Sequence, residues 1–211
     1  MLRVIIADDH PIVRVGQRVV IEAGGRCKVV GEADGPDELL ALVGSVPCDV
    51  LVTDFAMPGN RQSDGYGLLG LLRRQYPHLP VILVTMFANV ATLRASFAHG
   101  AQAIVAKSAS ARELPRAIRA VSEGQTFVSE CLREQLVEAG CGDPSAQPQL
   151  SGKEREVVRM LASGMTVSQI AAHVNRSIST ISKQKSTAMQ RLCISTDVDL
   201  FTYARSSGMV P

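Results

Sequence analysis

The stretch CDVLVTDFAMPG, residues Cys48 to Gly59, decides the fold. An apolar run, Val50-Leu51-Val52, leads into Asp54, and Met57-Pro58-Gly59 then breaks the chain. A short continuous apolar run closed by turn residues is the pattern of a strand buried on both faces, as in a parallel sheet. Such a strand ends at Asp54, on the carboxyl edge where open α/β sheets keep their ligand crevices. Taken alone, Asp54 reads equally well as the start of a surface loop, so the rest of the chain has to decide.

The same pattern recurs on either side. Leu2 to Ala7 is an apolar run ending in Asp8-Asp9, and Cys27 to Ala33 is another. Val81 to Val84 ends at Thr85, and Ala103 to Ala106 ends at Lys107. Helical patterns lie between the strands. Pro11 suits a first helical turn, with Ile12, Val13, Val19 and Val20 as the expected apolar face. A second helix covers Pro36 to Val43, and a third, carrying Leu68, Leu69, Leu71 and Leu72, is stopped by Pro77. Val90, Leu93 and Phe97 mark a fourth, capped by Gly100; the fifth runs from Ser110 through Leu114, Ile118 and Val121 to Gly124. Gly59 to Gly65 reads as a long, mobile loop. Five strands alternating with five helices predict an α/β fold with a parallel, doubly wound sheet and right-handed crossovers.

In such a sheet, Asp8, Asp9, Asp54, Thr85 and Lys107 share one rim. Three neighbouring carboxylates repel one another. A hard divalent cation with oxygen ligands relieves this, which points to Mg²⁺. Lys107 adds a positive charge and Thr85 a hydroxyl donor. A carboxylate facing a metal, an ammonium and a hydroxyl is equipped to receive a phosphoryl group, because these neutralise the transferred oxygens.

The chain has 211 residues, 46% of them hydrophobic and 20% charged, which suits a packed core and argues against disorder. No apolar run approaches the roughly 20 residues that span a bilayer, and MLRVIIADDH is not a signal peptide. The five cysteines are scattered, without C-x-x-C spacing, as expected of reduced thiols in a cytoplasmic protein. The four histidines are dispersed, and structural or surface roles are expected of them. Net charge is +2, but residues 150–211 hold eight Lys/Arg against four Asp/Glu, leaving −2 on the remainder. That asymmetry suggests a regulatory module joined to a polyanion binder.

Residues 126–149 read as a linker: a helix from Phe127 to Ala139, then a turn-rich segment through Gln149 with almost no apolar bulk. Beyond it, Ser151 and Glu154 form a capping box for a helix with Val157, Val158, Met160 and Leu161 inward. Val167 to Val174 is a short helix and Asn175-Arg176-Ser177 a turn. A longer helix follows from Ser179 to Cys193, with Ile181, Gln184, Ala188 and Leu192 inward. Its outward stripe, Ser179, Ser182, Lys183, Ser186 and Gln190 with Lys185 alongside, is small or basic. This describes a helix-turn-helix, which favours binding of double-stranded DNA; an ordinary helical bundle with a basic solvated face is the competing reading. Met160, Met165 and Met189 read as core filling.

VIIADDHPIV, VTDFAMPG, VTM and IVAK, at these spacings, resemble a response-regulator receiver domain of flavodoxin-like fold over residues 1–125. LSGKEREVVRMLASGMTVSQIAAHVNRSISTISKQKSTAMQRL resembles the LuxR-type DNA-binding domain, over residues 150–211. Together they resemble the NarL/FixJ branch of response regulators. The resemblance implies Asp54 as phospho-acceptor, Asp8 and Asp9 holding Mg²⁺ with the Ala56 carbonyl, and Thr85 and Lys107 on the phosphoryl group. It implies Ser182, Lys183 and Ser186 at or near base edges and Lys153, Arg176 and Lys185 at phosphates. The implied partners are a sensor histidine kinase or histidine phosphotransfer protein, and a second subunit in a homodimer or a heterodimer. Two positions depart from the pattern: Val105 stands where many receivers carry an aromatic, and Ser108 where many carry proline. Val105 keeps open a regulator of the same architecture controlled by heterodimer partners rather than by phosphate. An aspartyl-phosphate phosphatase is a further alternative, but such enzymes space two acids D-x-D after the first strand, and here Asp8 and Asp9 are adjacent.

Overall fold

The computed structural model describes residues 1–57, 65–86, 90–138, 150–192, 194 and 196–210. The chain divides into two compact units, Met1–Ala88 with His99–Glu134, and Asn89–Ala98 with Gln135–Pro211.

Strands β1 (Leu2–Ala7), β2 (Cys27–Ala33), β3 (Val50–Asp54), β4 (Val81–Thr85), β5 (Ala103–Ala106) and β6 (Phe127–Val128) form one sheet in the order β2-β1-β3-β4-β5-β6. Every pairing is parallel. Each residue of β3, β4 and β5 is buried, as continuous apolar runs covered on both faces must be. Helices α1 (Pro11–Glu22), α2 (Pro36–Ser45), α3 (Gly65–Gln75), α4 (Val90–Ala98) and α5 (Ser110–Ser122) supply the crossovers. Leu114, Ala117, Ile118 and Val121 of α5 pack into one core cluster with Val52, Ile82, Val84 and Val105 of the sheet. Full burial of each such aliphatic side chain contributes about 1.5–3 kcal/mol. The strand order reverses between β1 and β3, the switch point at which doubly wound sheets open a crevice.

Two expectations fail in this unit. The sheet has six strands rather than five, because Phe127 and Val128 pair with Ala103 and Ile104 instead of opening a helix. The helix, α6, starts only at Glu130 and is described to Glu138. The face expected of α1 is also wrong. Gln17 and Ile21 are its buried residues, while Ile12 is 78% exposed and Val19 64%. Val13 and Val20 are half-buried. The expected turn-rich linker lies outside the described residues, as does most of the Gly59 to Gly65 loop.

The second core is all-helical. Helices α7 (Gly152–Ala162), α8 (Val167–His173), α9 (Ile178–Leu192) and α10 (Asp197–Ser206) enclose Val157, Val158, Leu161, Ile170, Ile181, Ala188, Leu192, Leu200 and Ala204. Met160 is buried in this cluster and Met165 and Met189 pack against it, as core filling. Ser151 and Glu154 form the expected capping box on α7, and Thr166 with Gln169 forms a second one on α8. The turn between α8 and α9 places Asn175 at φ 53°, a left-handed conformation asparagine tolerates better than most residues. Ser177 Oγ accepts from the Thr180 amide at 3.1 Å and so caps α9. Helix α10 was not expected.

Candidate functional site

The register of the sheet assembles the pocket. Ala7 pairs with Thr53, so Asp8 and Asp54 follow at neighbouring strand ends. Asp54 pairs with Val84, and Thr85 pairs with Ala106, the residue before Lys107. One rim therefore carries Asp8, Asp54, Thr85 and Lys107. Asp8, Asp54 and Thr85 are all buried.

Lys107 crosses the rim. Its Nζ lies 2.6 Å from Asp54 Oδ2 and 2.8 Å from Asp8 Oδ2, with its side chain 10% exposed. Burial pulls the Lys107 pKa down. The hydrogen bonds its ammonium donates to Asp54 and Asp8 outweigh that, and its pKa ends above the ordinary lysine value. Asp54 Oδ1 accepts from the Ala56 amide at 3.3 Å. Asp8 Oδ1 accepts from the His10 amide at 2.9 Å, and the Asp8 carbonyl accepts from Arg14 Nη1 at 2.6 Å. The two amide contacts orient the carboxylates of Asp54 and Asp8.

One ligand atom from each of Asp8, Asp9, His10 and Asp54 falls within 4.8 Å of the others, close enough to surround a single cation. The sequence reading brought three of these together and missed the fourth. His10 Nδ1 lies 2.7 Å from Asp9 Oδ1 and 3.3 Å from Asp8 Oδ1. Its place next to the acid pair was the available signal. Ala56, expected to offer its carbonyl to the metal, also donates its amide to Asp54 Oδ1. The carboxylates are hard oxygen donors, which suits a divalent cation.

The second candidate surface lies on α9. Ser182, Lys183 and Ser186 are exposed along one stripe, as are Arg176 in the preceding turn and Lys153 on α7. Lys185 differs: its Nζ pairs with Asp197 at 2.6 Å, and its side chain is only 21% exposed. Arg191, near the end of α9, pairs with Glu154 at 2.9 Å and so ties that helix to the capping box of α7. Burial raises the Glu154 pKa, but its bonds from Ser151 and Arg191 outweigh this and lower it overall. Among the described residues no helix is long and apolar enough to cross a membrane.

Comparison with known proteins agrees with this geometry. Residues 4–119 match the response regulator receiver domain, and residues 148–204 match the bacterial regulatory proteins of the luxR family. The transcriptional regulatory protein RcsB of Escherichia coli K12 is 38% identical over 213 residues, covering 100% of this chain and 97% of RcsB. The response regulator GacA of Pseudomonas viridiflava is 31% identical over 219 residues, covering 100% of this chain and 98% of GacA. Among solved structures, RcsB of Salmonella enterica serovar Typhimurium bound to promoter rprA in the presence of the phosphomimetic BeF3⁻ superposes with a TM-score of 0.73 at 37% identity, over 98% of this chain and 99% of that one. An RcsB–DNA complex superposes with a TM-score of 0.71 at 38% identity, over 97% and 98%. With a buried acid set and a lysine on the rim of its parallel sheet and a basic helix-turn-helix later in the sequence, this chain belongs to the response regulators that join a receiver domain to a LuxR-family DNA-binding domain.

Proposed function

We propose that this protein regulates transcription by binding DNA under the control of a phosphoryl group on Asp54. The observation that carries this reading is the Lys107 ammonium, held 2.6 Å from Asp54 and 2.8 Å from Asp8 at a buried strand edge. A phosphohistidine on a sensor kinase or histidine phosphotransfer protein is the donor. An Asp54 carboxylate oxygen attacks phosphorus, the P–N bond breaks, and the departing imidazole nitrogen keeps the electron pair and takes up a proton. Lys107 and the Thr85 hydroxyl stabilise the transferred oxygens. Asp8, Asp9 and Asp54, with the Ala56 carbonyl, would hold Mg²⁺, which would supply neutralisation of the phosphoryl charge.

Residues 1–125 act as the receiver, 126–149 as the linker and 150–211 as the DNA-binding part. Ser182, Lys183 and Ser186 face base edges in the major groove, and Lys153 and Arg176 face phosphates. Lys185 joins them only by exchanging its Asp197 partner for a phosphate. A dimer reading paired half-sites is the working form, with DNA, the phosphodonor protein and a second subunit as partners.

One observation favours a second reading. Val105 is 0% exposed and packed in the core where many receivers carry an aromatic. A receiver in which the usual threonine–aromatic coupling is altered is suited to control by a heterodimer partner. Footprints on genomic DNA fragments with and without acetyl phosphate decide between the two. Phosphate control predicts protection at lower protein concentration with the donor, and no such shift for Asp54→Ala. Identical footprints in both conditions reject it.

A further inference from the structure

Strand β5 delivers Lys107 to the pocket, and its last residue, Ala106, is held from outside by an unusual arrangement. Strand β6 pairs with β5 through Ala103–Phe127 and Ile104–Val128, and the Ser129 amide then donates to the Ile104 carbonyl at 2.9 Å. A regular parallel ladder would next offer the Ser129 carbonyl to the Ala106 amide. That carbonyl has already turned into α6, where it accepts from Arg133 at 2.9 Å. The Ser129 side chain takes its place, and Ala106 N–H donates to Ser129 Oγ at 2.9 Å.

Ser129 is 0% exposed, and its hydroxyl proton goes to Glu113 Oε2. Glu113, in the first turn of α5, is 1% exposed, and its Oε1 accepts from the Glu130 amide at 3.3 Å. A hydroxyl has one proton to give. With that proton committed to a buried carboxylate, its lone pairs are aimed at Ala106. The bond to an anion is of the stronger, charge-assisted kind. Three elements, β5, α5 and the start of α6, thus meet at one hydroxyl, one residue before the lysine that spans Asp8 and Asp54.

We propose that Ser129, oriented by Glu113, is a positioning residue that sets the Lys107 ammonium between Asp54 and Asp8 and so governs how fast Asp54 takes a phosphoryl group. The rate part rests on the reading of Asp54 as acceptor. Neither residue touches the reacting atoms. Both act through the backbone that carries Lys107, and constellations of this kind tolerate displacements of only about 0.5 Å.

The test uses the full chain with saturating Mg²⁺ and acetyl phosphate as donor. Labelling rates are measured for wild type, Ser129→Ala, Ser129→Thr, Glu113→Gln and Lys107→Ala, and for Ser129→Ala combined with Lys107→Ala. In parallel, peptide mapping follows acylation of the Lys107 amine by N-hydroxysuccinimide acetate. Ser129→Ala should label about tenfold more slowly and its Lys107 should acylate several-fold faster. Ser129→Thr, which keeps the hydroxyl, should stay within about twofold of wild type. Glu113→Gln should fall between the two, and it serves as the deciding variant should Ser129→Ala fail to fold. Once Lys107 is alanine, Ser129→Ala should cost nothing more, because a residue acting through Lys107 has nothing left to act on. A merely structural role would carry its loss into that background unchanged. That result, or unchanged labelling and acylation in the single variants, overturns the proposal. If wild type takes no label at all, the acceptor reading of Asp54 falls, and Lys107 acylation alone decides the positioning claim.

Discussion

Lys107 reaches Asp54 at 2.6 Å and Asp8 at 2.8 Å, and both contacts are to carboxylates that a divalent cation also needs. The ammonium would therefore compete with a divalent cation for these carboxylates. Lys107→Ala should raise Mg²⁺ affinity, by roughly three- to tenfold for the loss of one partly screened like charge. The same change should slow phosphoryl capture at Asp54. Isothermal titration and acetyl phosphate labelling check the pair, and a fall in both would mean that Lys107 only holds the pocket in shape. Its raised pKa means that the lysine's contribution to stability is fully present below its ordinary value of 10.5 and is lost only as pH climbs through a still higher folded value. Across the neutral range it stays charged. These residues were legible in the sequence because each closes an apolar run, so a parallel sheet had to bring them together. His10 was not. An imidazole one residue past an acid pair carries no periodic signal, and its contacts to Asp8 and Asp9 exist only once the loop after β1 is built.

Helix α7 begins at a reciprocal cap: Ser151 Oγ accepts from Glu154 N–H at 3.3 Å, and Glu154 Oε2 accepts from Ser151 N–H at 2.8 Å. Ser151→Ala should destabilise the helical unit by about 1 kcal/mol. Thermal unfolding should show the loss, and an unchanged midpoint would leave the Arg191–Glu154 pair as the dominant tie at that end. In the sheet unit, Asp49 bonds to the amide and guanidinium of Arg3, which joins the start of β1 to the chain entering β3. The Arg3 hydrogen bonds lower the Asp49 pKa from 3.8 to about 2. A depressed acid gives stability that is fully present above its unfolded pKa and lost as pH falls through the folded one. Wild type should therefore lose this contribution between about pH 4 and about pH 2, and Asp49→Asn should lack that limb of the profile. Superimposable acid unfolding curves would refute the assignment. The elements themselves were readable where runs were long. Strand β6 was not, because two residues preceding a helical pattern are too short to declare a strand. The face of α1 was misjudged because apolarity was taken for burial: the sheet-facing positions fall at Gln17 and Ile21, and Ile12 and Val19 point outward. Helix α10 could have been found from Leu200 and Ala204, one turn apart and both buried, behind a Thr196 cap.

Taken whole, the chain joins two chemistries that the sequence keeps apart. Residues 150–211 carry a net +4 and the rest −2, so the basic part favours a polyanion and the acidic part does not. A phosphoryl group can shift this molecule toward DNA only as far as it favours the DNA-competent state over the resting one. Phosphate control thus depends on whether the rim around Asp54 accepts a phosphoryl group. The family was legible end to end because its motifs sit at strand ends and helix caps, where chemistry restricts residue type. Partner choice and target sequence were not: the exposed candidates Ser182 and Ser186 are serines, a side chain that discriminates poorly among bases. The decisive measurement is incubation of the full chain with acetyl phosphate and Mg²⁺, followed by intact mass and peptide mapping of the acyl phosphate. Wild type should gain one phosphoryl group at Asp54 and Asp54→Ala none; an unlabelled wild type, or equal labelling of Asp54→Ala, would contradict the account.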